Sequence, residues 1–282
     1  MKSGQSTDNR NNEGRDAKSR SQSLDRGLRI LEMLGAADDT IGVRDLAREL
    51  DISKSIVQRL LNTLSERDFV EQEPVTRKYR IGPHAFEIGS SFMRGGSLAE
   101  VSLPEMEPMV RDHKLNSYLG ILRENEALYL ATLQSSGPIA IQVSPGDRIP
   151  LHTTALGKAL LLDMNDAEIK AILSASDLIR RTPKTKLSVA ALVAEIRKAR
   201  KLGYTLSEGE NIIGIYSIGA PVRDSNGRIV AAISGALPQA MVSRAKLDQL
   251  GAVVAATAER ISQRLGASRR KLASRGQTMS TA

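Results

Sequence analysis
The chain has 282 residues, no cysteine and 41% hydrophobic residues, which indicates about two domains, each with a packed core. Disulfides, thiolate zinc sites and thiol nucleophiles are excluded, and no apolar run approaches the roughly 18 to 20 residues that span a bilayer. The formal charge of +8 suits a polyanionic partner without locating it, because the basic excess falls mostly in residues 180–201 and 260–275.

Residues 1–21 are rich in Ser, Asn, Gly and charge, and are expected to form a disordered tail. They contain no apolar signal-peptide core, which together with the absent cysteine suggests the cytoplasm. Ser23 then reads as the N-cap of a helix carrying Leu24, Leu28, Leu31 and Leu34 on one stripe, with Gly35 as its stop. A second helix, Val43–Leu50, places Val43, Leu46, Ala47 and Leu50 at the spacing of one helical face. Asp51 and Ile52 make a tight turn, and Ser53 caps a third helix that runs to about Glu66.

That third helix is two-faced. Ile56, Val57, Leu60, Leu61 and Leu64 fall on one side at about 100° per residue, and Lys54, Ser55, Gln58, Arg59 and Asn62 on the other. Two short strands follow, Phe69–Glu73 and Lys78–Ile81, about a Pro-Val-Thr-Arg turn. Tyr79 and Ile81 are expected to face inward, with Arg77, Lys78 and Arg80 at the tip and outer face. Three helices and a basic hairpin make a winged helix-turn-helix. Ser55, Gln58, Arg59 and Asn62 are then candidates for the major groove, with Gln58 and Asn62 able to bond adenine bidentately and Arg59 guanine or phosphate. Ser53, Lys54, Arg77 and Lys78 are candidates for phosphates or the minor groove. The plainer alternative is a solvated helix face.

Beyond a short helix over Pro83–Gly95, the pattern alternates. Helices are expected at Leu103–Lys114, Thr154–Leu162, Asp166–Ser174, Ser188–Leu202 and Arg244–Leu265. Strands are expected at Ser117–Arg123, Ala127–Gln134, Ile139–Val143, Tyr204–Ser207, Ile215–Val222 and Ile229–Ala236, with a hairpin turn at 224–227. Hairpins with segregated helices indicate an α+β domain. The residues after Gly266 read as a basic, flexible tail.

Motifs for chemistry are missing. Gly157-Lys158-Ala159 lacks the glycine and hydroxyl residues of a phosphate loop, and no nucleophile elbow occurs. His84, His113 and His152 have no metal-ligand spacing. Glu208 and Glu210 read as solvated carboxylates on a polar loop rather than an acid/base pair. No enzyme, metal or cofactor is implied.

The segments SQSLDRGLRILEML, DLARELDISKSIVQRLLNTL and FVEQEPVTRKYRIG resemble the N-terminal domain of the IclR family of bacterial transcriptional regulators. LHTTALGKALL and GYTLSEGENIIGIYSIGAPVRDSNGRIVAAISGALP resemble that family's effector-binding domain. The likeness covers roughly Ser21–Gly266. It implies a winged helix-turn-helix over 22–82, a linker helix within 83–97 that pairs with its mate, and a GAF-like domain with an antiparallel sheet over 98–266. The partners it implies are double-stranded DNA at an inverted-repeat operator, a small organic acid or aromatic effector, and further copies of the chain in a dimer or tetramer. Carried across, the effector pocket uses Ile149, Ala155, Leu156, Ser207, Ile215 and Ser217, with the helix start near Thr154 offering N–H groups to an anion. Ser207 stands where relatives often have an acidic residue and Ser217 where they often have Cys, so the ligand is expected to differ from small keto acids. The rival expectations are an enzyme with an accessory winged helix and a winged-helix protein-interaction module.

Overall fold
The structure is a computed structural model that describes residues 21–92, 98–136 and 143–267. The chain divides into two compact units, residues 1–92 and 93–282. The expected tails at 1–21 and 267–282, and the expected strand Ile139–Val143, lie almost wholly outside the described residues. Ser21, Val143 and Ala267 are described, and none is in a strand or helix.

The first unit runs α1 (Gln22–Ala36), α2 (Val43–Leu50), α3 (Lys54–Glu66), β1 (Val70–Gln72), β2 (Tyr79–Ile81) and α4 (Pro83–Phe92). Asp51 ends α2 in the left-handed conformation (φ 53°, ψ 48°), and its N–H bonds back to the Ala47 and Arg48 carbonyls. That reversal sets the turn into α3, which Ser53 caps by accepting the Ile56 N–H at 3.4 Å. Ile30, Leu46, Val57 and Leu61 are fully buried and meet Val70 and Tyr79 of the antiparallel wing.

At α1 the structure corrects three expectations. Ser21, not Ser23, caps the helix, by accepting the Leu24 N–H. Gly35 lies inside it, one residue before its end. The buried stripe is Gly27, Ile30 and Leu34, whereas Leu24 and Leu28 are 63% and 51% exposed. The core of this unit takes in the helix only from Ile30 to Leu34, so the first turns overhang it.

The second unit is one antiparallel six-stranded sheet between two helical layers. It runs α5 (Leu98–His113), β3 (Asn116–Arg123), β4 (Glu126–Leu133), β5 (Arg148–Pro150), α6 (Ala155–Leu160), α7 (Asp166–Ser174), α8 (Val189–Leu202), β6 (Thr205–Glu208), β7 (Ile215–Arg223), β8 (Ile229–Pro238) and α9 (Arg244–Arg264). The strand order is β5-β4-β3-β8-β7-β6. Met106 of α5 and Val254 of α9 pack on one face with Leu119, Ile218 and Ile233. Leu156, Ile169 and Ile196 of α6, α7 and α8 pack on the other with Tyr118 and Ala232. Period-two alternation along each strand separates the two cores.

Helix α5 begins five residues before its expected start and carries Pro104 and Pro108 inside it. The three-residue β5 was not anticipated; it pairs with β4 and ends at Pro150. Among the described residues, no helix is long and apolar enough to cross a membrane.

Candidate nucleic-acid interface and ligand cavity
The polar side of α3 is held from within. Gln58, half-buried, donates one amide hydrogen to Asn62 Oδ1 (2.9 Å) and the other to the Tyr79 hydroxyl (3.0 Å). Tyr79 is 3% exposed and belongs to the wing, so the wing clamps the reading helix. With both Gln58 hydrogens engaged, the pair offers an acceptor on Gln58 and a donor on Asn62, so an adenine edge would be read jointly.

Ser53 is occupied as a cap, and its hydroxyl lies 3.0 Å from that of Ser55. The cations sort by partner. Arg48 is tied to Asp45 and Arg80 to Glu71, each at 2.9 Å. Lys54, Arg59, Arg77 and Lys78 are exposed and make no ion pair with another described residue. Arg77 sits at the wing tip in a left-handed conformation (φ 59°). All four cations predicted to contact DNA are thus without an ion pair, as are Arg26, Arg29, Arg44 and Arg67 among the described residues, while paired Arg80 holds the wing.

In the second unit a cavity of about 510 Å³, its open mouth included, lies between the α6 side of the sheet and the β6–β7 loop. Sheet register builds its floor. Ser207 on β6 pairs with Ser217 on β7, Ser217 with Ala236 on β8, and Tyr118 on β3 with Ser234 on β8. Of the six residues carried over from the family, Ile149, Leu156, Ser207, Ile215 and Ser217 line the space. Ala155 does not: it is fully buried, with its carbonyl accepting from Thr205 Oγ1 at 2.6 Å.

Two glycines let α6 lie against the sheet. A Cβ on Gly157 would sit 2.6 Å from the Leu151 backbone, and one on Gly219 would collide with the Ala155 carbonyl. The expected anion capture at the start of α6 is weakened by what is found there. The helix has six residues, and Thr154 Oγ1 already takes the Gly157 N–H at 3.0 Å. Among the described residues, no charged side chain lines the cavity.

Tyr118, Tyr129, Asn211 and Ser234 also line the cavity and were not singled out from sequence. Alternation along β3 and β8 would have placed Tyr118 and Ser234 on this face; Asn211 lies on a loop without periodicity. Its Oδ1 accepts from Thr153 Oγ1 at 3.2 Å, and Ser207 Oγ donates to the Thr153 carbonyl at 2.7 Å. Burial pushes the Tyr118 phenol up to about 12.

The β6–β7 loop is pinned by a buried ion cluster, which overturns the reading of Glu210 as solvated, whereas the Glu208 side chain stays 40% exposed. Lys158, 1% exposed, donates to Glu210 (2.7 Å), Glu195 (2.8 Å) and the Leu206 carbonyl (3.0 Å). Lys186 bridges Glu195 and Glu210 from the rim, and Glu208 pairs with Arg244 at 2.6 Å. Two cations and two anions close the cluster without net charge, the condition for ion burial. Burial pushes Glu195 up, but the Lys158 and Lys186 ammoniums pull it net below its usual value. Nearby His152 donates its Nε2–H to the Ile179 carbonyl at 3.1 Å, and burial lowers its pKa.

A wing-clamped reading helix with unpaired cations, in one chain with a cavity-bearing sheet domain, is the plan of a ligand-responsive transcription regulator. Comparison with known proteins agrees. Residues 92–263 match the bacterial transcriptional regulator IclR C-terminal domain and residues 23–74 the IclR helix-turn-helix domain; the chain belongs to the IclR family. It is 30% identical over 245 residues to the HTH-type transcriptional repressor AllR of Escherichia coli K12, across 87% of this chain and 90% of that protein.

Among solved structures it resembles Thermotoga maritima IclR, at 26% identity and a TM-score of 0.67, covering 86% of this chain and 98% of that one. It also shares its fold with an IclR homologue from Microbacterium hydrocarbonoxydans complexed with 4-hydroxybenzoate, at 24% identity and a TM-score of 0.74, covering 87% and 100%. The chain is a helix-turn-helix transcriptional regulator with an effector-binding domain, not an enzyme.

Proposed function
We propose that this regulator is a cytoplasmic repressor that reads an inverted-repeat operator as a dimer or tetramer and changes its grip when a small organic acid or aromatic compound fills the cavity. In this reading residues 22–82 bind duplex DNA, 83–97 join the two domains and 98–266 sense the effector. The observation that carries it is the polar stripe of α3, clamped by Tyr79 and flanked by four unpaired cations. Gln58, Asn62, Arg59 and Ser55 would face base edges, and Ser53, Lys54, Arg77 and Lys78 the backbone.

Pairing through α4 is supported by its surface. No residue of α4 is buried, and Phe86 and Phe92 are 76% and 64% exposed, so they do not pack on their own unit. Repression is supported by the likeness to AllR, and an aromatic acid by the ligand of the Microbacterium homologue. Effector binding would act by shifting the population of dimer geometries. The direct test is binding to an operator duplex. Gln58→Ala and Arg59→Ala are each expected to lose about 1–3 kcal/mol of specific affinity; unchanged affinity in both would count against this interface.

A further inference from the structure
Among the described residues that line the cavity, one has a fully buried polar group without a partner. Tyr118 is 3% exposed, and its hydroxyl is buried with no hydrogen-bond partner among the described residues. Three other polar groups of the lining are already engaged: Thr154 Oγ1 caps α6, Ser207 Oγ donates to Thr153, and Asn211 Oδ1 accepts from Thr153. The Tyr129 ring, 5.3 Å away and tilted by 43°, packs against Tyr118 without bonding its hydroxyl. A buried hydroxyl without a partner destabilises the folded chain, and native proteins rarely leave one so. Here the residue that carries it lines a cavity.

The rest of that wall bounds what the hydroxyl can meet. Leu156, Ile149 and Ile215 supply apolar surface beside two aromatic rings, and among the described residues no charged side chain lines the cavity to neutralise a multiply charged ligand. Tyr118, with its phenol pushed up to about 12, stays protonated and acts as a donor throughout the physiological range.

Resting on the effector-cavity reading above, we propose that Tyr118 is the specificity-determining donor of this cavity. The ligand class it selects is a compact ring compound, uncharged or singly negative, whose carbonyl or carboxylate oxygen accepts the Tyr118 hydroxyl hydrogen. Small keto acids are disfavoured, because they leave the apolar wall uncovered.

The signature is a pair of opposite signs. Tyr118→Phe removes an unsatisfied hydroxyl, so the ligand-free protein should melt no lower than wild type, yet it should bind acceptor-bearing rings more weakly. A merely structural tyrosine would give no such split. The test is calorimetric titration and thermal melting of the full chain with benzoate, benzaldehyde, styrene (the same shape as benzaldehyde without the acceptor) and glyoxylate.

Wild type is expected to prefer benzoate and benzaldehyde to styrene and glyoxylate. Tyr118→Phe should bind the first two about tenfold more weakly, and styrene unchanged. Equal affinity of wild type and Tyr118→Phe for benzaldehyde would overturn the role of Tyr118, as would a lower melting temperature of the ligand-free variant. A preference for glyoxylate, or no binding of any ring probe, would overturn the ligand class. Leu156→Trp, and Ser217→Leu should the first fail to fold, fill the cavity and should abolish binding of every ring. Ring binding that survives cavity filling would instead overturn the cavity reading on which this inference rests.

Discussion
Gln58 donates both amide hydrogens inside the protein, to Asn62 and to the Tyr79 hydroxyl, so its orientation depends on a buried residue that faces no DNA. Tyr79→Phe keeps the buried ring and removes one of those bonds, worth about 0.5–1.5 kcal/mol net. The expected result is a smaller ratio of operator to scrambled-duplex affinity, with scrambled-duplex affinity unchanged, as read by fluorescence anisotropy.

Lys158 presents the opposite case, a charge whose whole environment is protein. Lys158→Met leaves Glu210, 3% exposed, short of its buried partner and should destabilise by about 3–5 kcal/mol in chemical denaturation. Lys158→Met with Glu210→Met should recover most of that, because Lys186 still pairs with Glu195; a double variant worse than the single would contradict the account.

Stability should also fall in two steps with acid. His152 has a lowered pKa, so its contribution is present above the unfolded value of 6.5 and is lost as pH drops below it. Glu195 is lowered too, so its contribution is present above the unfolded value of 4.5 and is lost below it, through its depressed folded value. Thermal melts across pH should show both limbs, and Glu195→Gln should shrink only the lower one, to which Asp112, Asp166 and Asp224 also contribute.

Helix α6 depends on close backbone approach more than on side-chain burial. Gly219→Ala drives a methyl group into the Ala155 carbonyl and should lower stability by about 1–3 kcal/mol while weakening effector binding, measurable by melting and titration on the same sample. The elements most legible in the sequence were those carrying their own caps and turns. Asp51 and Ser53 marked the reversal between α2 and α3, Asp166–Ser174 matched α7 to the residue, and the Asp224–Gly227 turn joined β7 to β8.

What sequence could not supply was set by neighbours distant along the chain. The stripe at Leu24 and Leu28 is apolar yet exposed, because the rest of its unit meets the helix only further along. Arg148–Pro150 is a strand only because β4 offers it an edge. Five of six pocket residues carried over from the family line the cavity. Tyr118 and Asn211 escaped because their place there comes from sheet register and from a loop held by Lys158 and Thr153.

At the scale of the whole molecule, a reading unit and a sensing unit on one chain have a joint purpose only if the first recognises a sequence. Exposed Phe86, Ile88 and Phe92 on α4 favour pairing of copies, so Phe86→Lys with Phe92→Lys should shift sedimentation equilibrium toward smaller species and flatten the cooperativity of operator binding. Paired reading heads demand a two-fold related site. The most direct measurement is therefore recovery of genomic fragments by the purified full chain at physiological salt, followed by sequencing, in parallel with Arg59→Ala. The account predicts a compact set of fragments sharing an inverted repeat, lost in the variant. Fragments without a shared sequence, recovered equally by both proteins, would show electrostatic attraction alone and would contradict it.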